Sequence, residues 1–201
     1  MNSIELFGTV TSPYVRRVRI VLKEIGRAYR WVDTSQPEGQ SLMRDLNPLW
    51  KIPTVRLDGR AIFDSGVIVR QLLKAFGHGG LALHDPDDVE VCRVVTVTDG
   101  VLDALINSFY LKKEGVSDQT PYLQKQEGRS RAALAWLESE VRGPWLTRTH
   151  RFGLPEIGLI TALEWMMFRQ VYPVDQHPRL VEFLKQHQAR ESIASTGPER
   201  E

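Results

Sequence analysis

Three short segments of this chain carry residue types that can do chemistry together. The first is Thr11-Ser12-Pro13-Tyr14-Val15-Arg16-Arg17-Val18-Arg19. The second is Asn47-Pro48-Leu49-Trp50-Lys51-Ile52-Pro53-Thr54-Val55, and the third is Phe63-Asp64-Ser65-Gly66. Each falls where a strand ends or a helix begins, the places where α/β sheets bind ligands. A serine at a helix start sits among unpaired backbone amides and at the positive end of the helix dipole, a setting for an anion. Ile52 precedes a proline and is held extended, so its backbone can pair with a peptide-like ligand as a strand edge does. The same residues have plainer uses. Ser12 and Asp64-Ser65 can be helix caps, Pro53 a trans strand opener, and Lys51 a solvated side chain.

Other chemistries find no footing. Gly77-His78-Gly79-Gly80-Leu81-Ala82 has the letters of a dinucleotide fingerprint, but a helix precedes it and a proline-containing loop follows. There is no P-loop sequence and no H-E-x-x-H, and the five histidines show no ligand spacing on a helix face, so no metal is expected. A single cysteine, Cys92, excludes an internal disulfide, a Cys-rich zinc site and a two-thiol redox centre. Lys plus Arg number 26 against 25 Asp plus Glu, a balance that argues against a nucleic-acid partner. The opening MNSIELFGT has neither a basic nor an apolar signal region, and no stretch has the roughly 18 apolar residues of a membrane span. A soluble cytoplasmic protein with no membrane partner is expected. No repeat or low-complexity tract is present.

Hydropathy and turn chemistry set out the elements around the three segments. Residues 4–7 read as a strand. Ser12 and Pro13 suit the N-cap and first position of a helix whose inner face is Val15, Val18, Leu22 and Ile25, ended by Gly26. Residues 29–33 read as a strand, 36–39 as loop, and 41–46 as a short helix ended by Asn47-Pro48. Strands at 54–57 and 60–63 flank the hairpin signal Asp58-Gly59. Asp64-Ser65 starts a helix that runs to Gly77. Residues 78–88, glycine-rich and containing Pro86, read as a linker. Everything beyond is helical: a long stripe from Val91 to Phe109, then helices opening at Pro121, Pro155 and His177-Pro178. The expected organisation is a β-α-β-α-β-β-α domain over residues 1–77, the linker 78–88, and an all-helical domain over 89–201.

In order and spacing, TSPYVRRVRI, NPLWKIPTV, FDSGVIV, TDGVLDA and RESIASTGP resemble segments of the glutathione S-transferases, in detail the bacterial YibF-like subgroup. The resemblance covers nearly the whole chain. It implies a thioredoxin-like domain followed by a helical bundle, the architecture of the cytosolic transferases. It also implies a transferase that binds reduced glutathione as co-substrate, stabilises its thiolate through Ser12 and passes it to a small hydrophobic electrophile. Ser12-Pro13-Tyr14-Val15 stands where dithiol relatives carry Cys-Pro-x-Cys, so internal disulfide exchange is not available. A hydroxyl and a helix dipole that lower a thiol from ~8.5 by about one or two units supply only ~1.4–3 kcal/mol.

The same resemblance assigns the remaining roles. Ile52-Pro53 is implied to be cis and to present the Ile52 backbone to the tripeptide. Ser65 and its helix amides take the γ-glutamyl carboxylate, Asp64 orients the ammonium or the loop, and Lys51 meets the glycyl carboxylate. Asp103 matches a position from which some relatives reach the neighbouring subunit's ligand, which implies a two-fold homodimer. A surface carboxylate is the plainer use of Asp103. Tyr14, Phe109, Tyr110 and Trp165 are implied linings of the electrophile pocket; ordinary core packing is their alternative. Arg16, Arg17 and Arg19 are expected on a solvated face, and Cys92 in the core or at an interface.

Two departures stand out. Gly66 replaces the subgroup's proline and should loosen the first turn of its helix. Gly153 and Glu156 replace a Ser/Thr-x-x-Asp cap and should weaken it. Two further activities fit the same fold: a non-catalytic adaptor, and a glutathione-dependent disulfide reductase or peroxidase.

Overall fold

The computed structural model describes residues 3–85 and 87–198, so Pro86 of the expected linker lies outside the described residues. The chain divides into two compact units, 3–81 together with 189–198, and 82–188.

The first unit opens with β1 (Ile4–Gly8), α1 (Pro13–Glu24), β2 (Arg30–Asp33) and α2 (Pro37–Leu46). β3 (Thr54–Leu57), β4 (Arg60–Phe63) and α3 (Ser65–Phe76) follow. The sheet order is β2-β1-β3-β4, with β1 and β2 parallel and the other pairs antiparallel. That is the expected β-α-β-α-β-β-α order and a thioredoxin-like topology. The Asp58-Gly59 turn has both φ angles positive, at 49° and 83°, as a two-residue hairpin of the primed type requires. α2 begins at Pro37 and not at 41, because Gln36 is extended and Pro37 occupies the first helical turn. The proline read as loop chemistry is helix-start chemistry here.

The core is drawn from both faces of the sheet: Leu6, Val15, Val18, Val55 and Ile68 have no exposed surface. α1 can lie this close to β1 because Gly8 has no side chain; a Cβ there would stand 2.6 Å from Val15 Cγ2. Glu5 on β1 is in register with Arg30 on one neighbouring strand and Arg56 on the other, and forms ion pairs with both. The Arg56 hydrogen bond, above all, holds the Glu5 carboxyl below the usual carboxylate range.

The arginines of α1 do not form a solvated face. Arg16 and Arg17 are 2% and 4% exposed. Arg17 lies over the Tyr14 ring at 4.9 Å, and Arg19 over the Trp31 ring at 5.9 Å. Three arginines in four residues suggest solvent only while their partners, Tyr14 one turn back and Trp31 on β2 among them, are unseen.

The second unit contains α4 (Val89–Lys113), α5 (Pro121–Glu140), α6 (Leu154–Arg169), a short 3-10 turn (Val174–Gln176) and α7 (Pro178–His187). α4 packs against α5 and α6. α6 is buried almost all round through its first three turns, the signature of a central helix. Cys92 is exposed on α4 and not in the core. α8 (Glu191–Ala194) belongs to the first unit and packs on α1.

At the start of α6 the Gly153 side-chain cap is absent, as expected, and Glu156 supplies the return half of the box. Glu156 has no exposed surface, and its two carboxylate oxygens accept the Leu146 and Gly153 amides, both at 3.0 Å. A Cβ at Gly153 would stand 2.5 Å from His84 Nε2, so a capping side chain there would displace that ring. Burial raises the Glu156 carboxyl despite its backbone hydrogen bonds. Protonation therefore favours the folded state. That contribution is full below about 4.3, the ordinary glutamate value, and is lost as pH rises through the raised folded value. Glu156→Gln turns one amide donor towards a backbone N–H and should cost about 1–3 kcal/mol. Denaturant unfolding against pH checks it: mild acidification should strengthen the parent protein and leave the variant unmoved by this group.

Candidate functional site at one end of the sheet

The strand register brings the three segments to one place. Phe7 on β1 is level with Thr54 on β3, and Thr54 with Phe63 on β4. β1 and β4 end at that level and β3 begins there. The loop leading to Ser12, the residues 51–53 and the pair Asp64-Ser65 therefore emerge from the same end of the sheet.

Ser12 is the N-cap of α1, extended at φ −77° and ψ 125°. Its hydroxyl oxygen accepts the Val15 amide at 3.3 Å, and the side chain is half-buried. This is a long cap bond. The Pro13 ring presets the first turn, so the helix start depends little on it. A hydroxyl accepts on a lone pair and donates its own proton elsewhere, so the cap bond leaves the Ser12 proton uncommitted.

The Ile52-Pro53 bond is cis. The loop before it is set by a residue that sequence reasoning passed over. Asn47 is completely buried, and its amide nitrogen donates to the Lys51 carbonyl at 2.8 Å and to Thr54 Oγ1 at 3.0 Å. Its carbonyl oxygen accepts the Leu49 amide at 2.9 Å. Thr54, also fully buried, donates its hydroxyl to the Lys51 carbonyl at 3.1 Å. The signal was the Asn-Pro pair, read only as a helix end. The Lys51 side chain is exposed.

Asp64 has φ +70° and ψ 126°, a conformation that few non-glycine residues adopt and that clusters at ligand sites. Its Oδ1 accepts the Gly66 amide at 3.0 Å and the Val67 amide at 3.2 Å, capping α3. Gly66 thus supplies a cap bond that a proline lacks, which offsets the looser turn expected of it. Ser65 is 7% exposed. Asp64→Ala removes both cap bonds and should cost about 1–2 kcal/mol, whereas Asp64→Asn, which keeps an oxygen and tolerates positive φ, should cost less than half of that. Urea midpoints of the two variants check this.

Tyr14 is half-buried on α1 beneath Arg17. Phe109, Tyr110, Trp165 and Asp103 belong to the second unit. Phe109 stands edge-on to Tyr110 at 5.3 Å and to Trp165 at 6.1 Å. Tyr110 is 57% exposed, while Trp165, at 5%, is a core side chain and not a free pocket wall. Phe109 also lines a cavity of about 620 Å³ with Leu105, Leu123 and Tyr172. Asp103 is exposed beside an α4–α5 groove of about 610 Å³. Among the described residues no group of His, Cys, Asp and Glu could hold a metal ion, and no helix is long and apolar enough to cross a membrane.

One end of this thioredoxin-like sheet thus gathers a helix-capping serine, a cis-proline loop and an acidic-Ser helix start. Residues 6–80 match the glutathione S-transferase N-terminal domain family. The chain is 28% identical to the uncharacterised GST-like protein YibF of Escherichia coli K12, over 97% of this chain and 98% of that one. It is 24% identical to a probable glutathione S-transferase of Nicotiana tabacum, over 86% and 75%. A glutathione S-transferase of Methylobacillus flagellatus, solved with glutathione bound, superposes with a TM-score of 0.86 at 27% identity, over 98% of this chain and 100% of that one. A glutathione transferase family member of Pseudomonas fluorescens with bound glutathione gives 0.84 at 27% identity and the same coverage.

Proposed function

We propose that this protein is a glutathione transferase: it binds reduced glutathione at the end of the sheet, ionises its thiol and delivers the thiolate to a small hydrophobic electrophile. The observation that carries the reading is Ser12, a hydroxyl at a helix N-terminus whose cap bond uses an acceptor position and leaves its proton for a sulfur. The Ile52 backbone pairs with the tripeptide as an added strand, and Lys51 meets the glycyl carboxylate. Ser65 receives the γ-glutamyl carboxylate. Both Asp64 cap bonds end on Oδ1, so Oδ2 is the oxygen that meets the ligand's ammonium.

Catalysis is then activation of a bound nucleophile by a lowered pKa, with glutathione supplying the sulfur. The sulfur attacks the electrophilic carbon, its leaving group departs with the bonding pair, and the thiol proton has already passed to solvent. Tyr14 from α1 contributes an apolar side of the electrophile site. Two copies associate about a two-fold axis, with Asp103 reaching the neighbour's ligand, and the protein acts in the cytoplasm.

Titration calorimetry with reduced glutathione, followed by turnover of an activated aryl halide, tests the reading. Saturable binding with glutathione-dependent release of halide supports it. Saturable binding without turnover of any aryl halide or epoxide overturns the transferase reading in favour of an adaptor, and no saturable binding overturns both.

A further inference from the structure

Arg16 has no part in the site just described, and its burial demands an explanation. A guanidinium at this depth must be paired. Its Nε donates to Thr196 Oγ1 at 3.4 Å and its Nη2 to the Ile193 carbonyl at 3.2 Å, across 180 and 177 positions of sequence. Thr196 is 1% exposed and passes its own hydroxyl proton to the Ser192 carbonyl at 2.6 Å. At the far end of α1, the Glu24 carboxylate receives Arg190 through two bonds of 2.7 Å, and the Ser192 hydroxyl as well. The C-terminal segment thus runs antiparallel to α1, holding its last turn through Arg190 and its first turn through Ile193 and Thr196. Arg16 is also tied to the cap itself, since its amide donates to the Ser12 carbonyl at 3.0 Å.

Apolar packing alone does not fix where a helix stops along its axis, because burial of Val15, Val18 and Val21 is non-directional. Hydrogen bonds at both ends of the helix do fix it. We infer that Arg16 and Thr196 are positioning residues for Ser12, and that the returning segment 190–196 is a clamp that sets where the Ser12 hydroxyl meets its ligand. The inference rests on the proposed role of Ser12 towards the glutathione sulfur. A displacement well under 1 Å matters there, since reacting groups lose much of their advantage when slightly misplaced.

The test uses the full chain and two readouts: the pKa of glutathione's thiol when bound, from thiolate absorbance, and the Kd of S-methylglutathione, which has no thiol to ionise. Thr196→Val keeps the shape and removes the acceptor, while Arg16→Met keeps the stem and removes the donors. Each should raise the bound thiol's pKa by about half a unit to one unit, a roughly two- to eightfold loss of thiolate near neutrality. The Kd of S-methylglutathione should change less than about twofold, and Thr196→Ser should restore the parent pKa. Lower melting temperatures with an unmoved thiol pKa, in variants made beside a Ser12→Ala protein whose pKa has moved, overturn this inference alone. An unmoved pKa in Ser12→Ala overturns the role of Ser12 and the clamp with it.

Discussion

Ser12→Ala should raise the pKa of bound glutathione's thiol by about one to two units, towards the ~8.5 of a free thiol. The argument is differential. The hydroxyl proton bonds the thiolate more strongly than the thiol, so its removal costs the ionised form about 1.4–3 kcal/mol and the protonated form little. Conjugation near neutrality should fall roughly eight- to twenty-five-fold, and the pH–rate profile should move to higher pH by the same shift. Glutathione affinity measured at low pH, where the thiol is protonated in both proteins, should hardly change. The helix itself should survive: its cap bond from Val15 is long at 3.3 Å, and Pro13 and the partners of Arg16 hold the first turn. Ser12→Thr, which keeps a hydroxyl, should retain most of the shift. An alanine variant with the parent pKa and rate would remove Ser12 from the mechanism.

The second large effect is expected at Asn47, away from any direct ligand role. Asn47→Ala strands the Leu49 amide, takes away one of the two donors to the Lys51 carbonyl and leaves a gap beside the buried Thr54. The bonds lost are part-buried and the Lys51 carbonyl keeps Thr54 as a donor, so a loss of roughly 1–2 kcal/mol in stability is expected. Because this corner shapes residues 48–53, the Ile52 backbone should lose its alignment with the tripeptide, and glutathione binding should weaken by about tenfold or more. Asn47→Asp separates the terms. It keeps the acceptor for Leu49 but turns an oxygen towards the Lys51 carbonyl, so it should fail on the donor side alone. Urea unfolding and glutathione calorimetry on the two variants read stability and binding separately. A normal glutathione Kd in a folded Asn47→Ala protein would show that the loop needs no such support.

Local rules made much of this protein legible. Ser12 and Pro13 start α1 at the expected residue, Asp58-Gly59 turns the β3–β4 hairpin, and Asp64 caps α3, because caps and tight turns are decided by residues within a few positions of one another. The start of α2 slipped by four residues for the same local reason, since Pro37 serves a helix start as well as a loop. Register decided the rest of the site: only the level pairing of Phe7, Thr54 and Phe63 gathers three distant segments at one end of the sheet.

Burial was where the amino-acid order fell silent. Arg16, Asn47 and Glu156 are polar, and polarity by itself places a residue in water. Arg16 is inside because a segment 180 positions away brings it an acceptor, Asn47 because Lys51 and Thr54 close around it, and Glu156 because two backbone amides meet on its oxygens. The chain alone determined which elements form and where they begin, since those choices are settled among near neighbours. Tertiary structure decided which charges and amides could leave solvent, since a buried polar group is stable only when partners from elsewhere in the chain arrive to meet it.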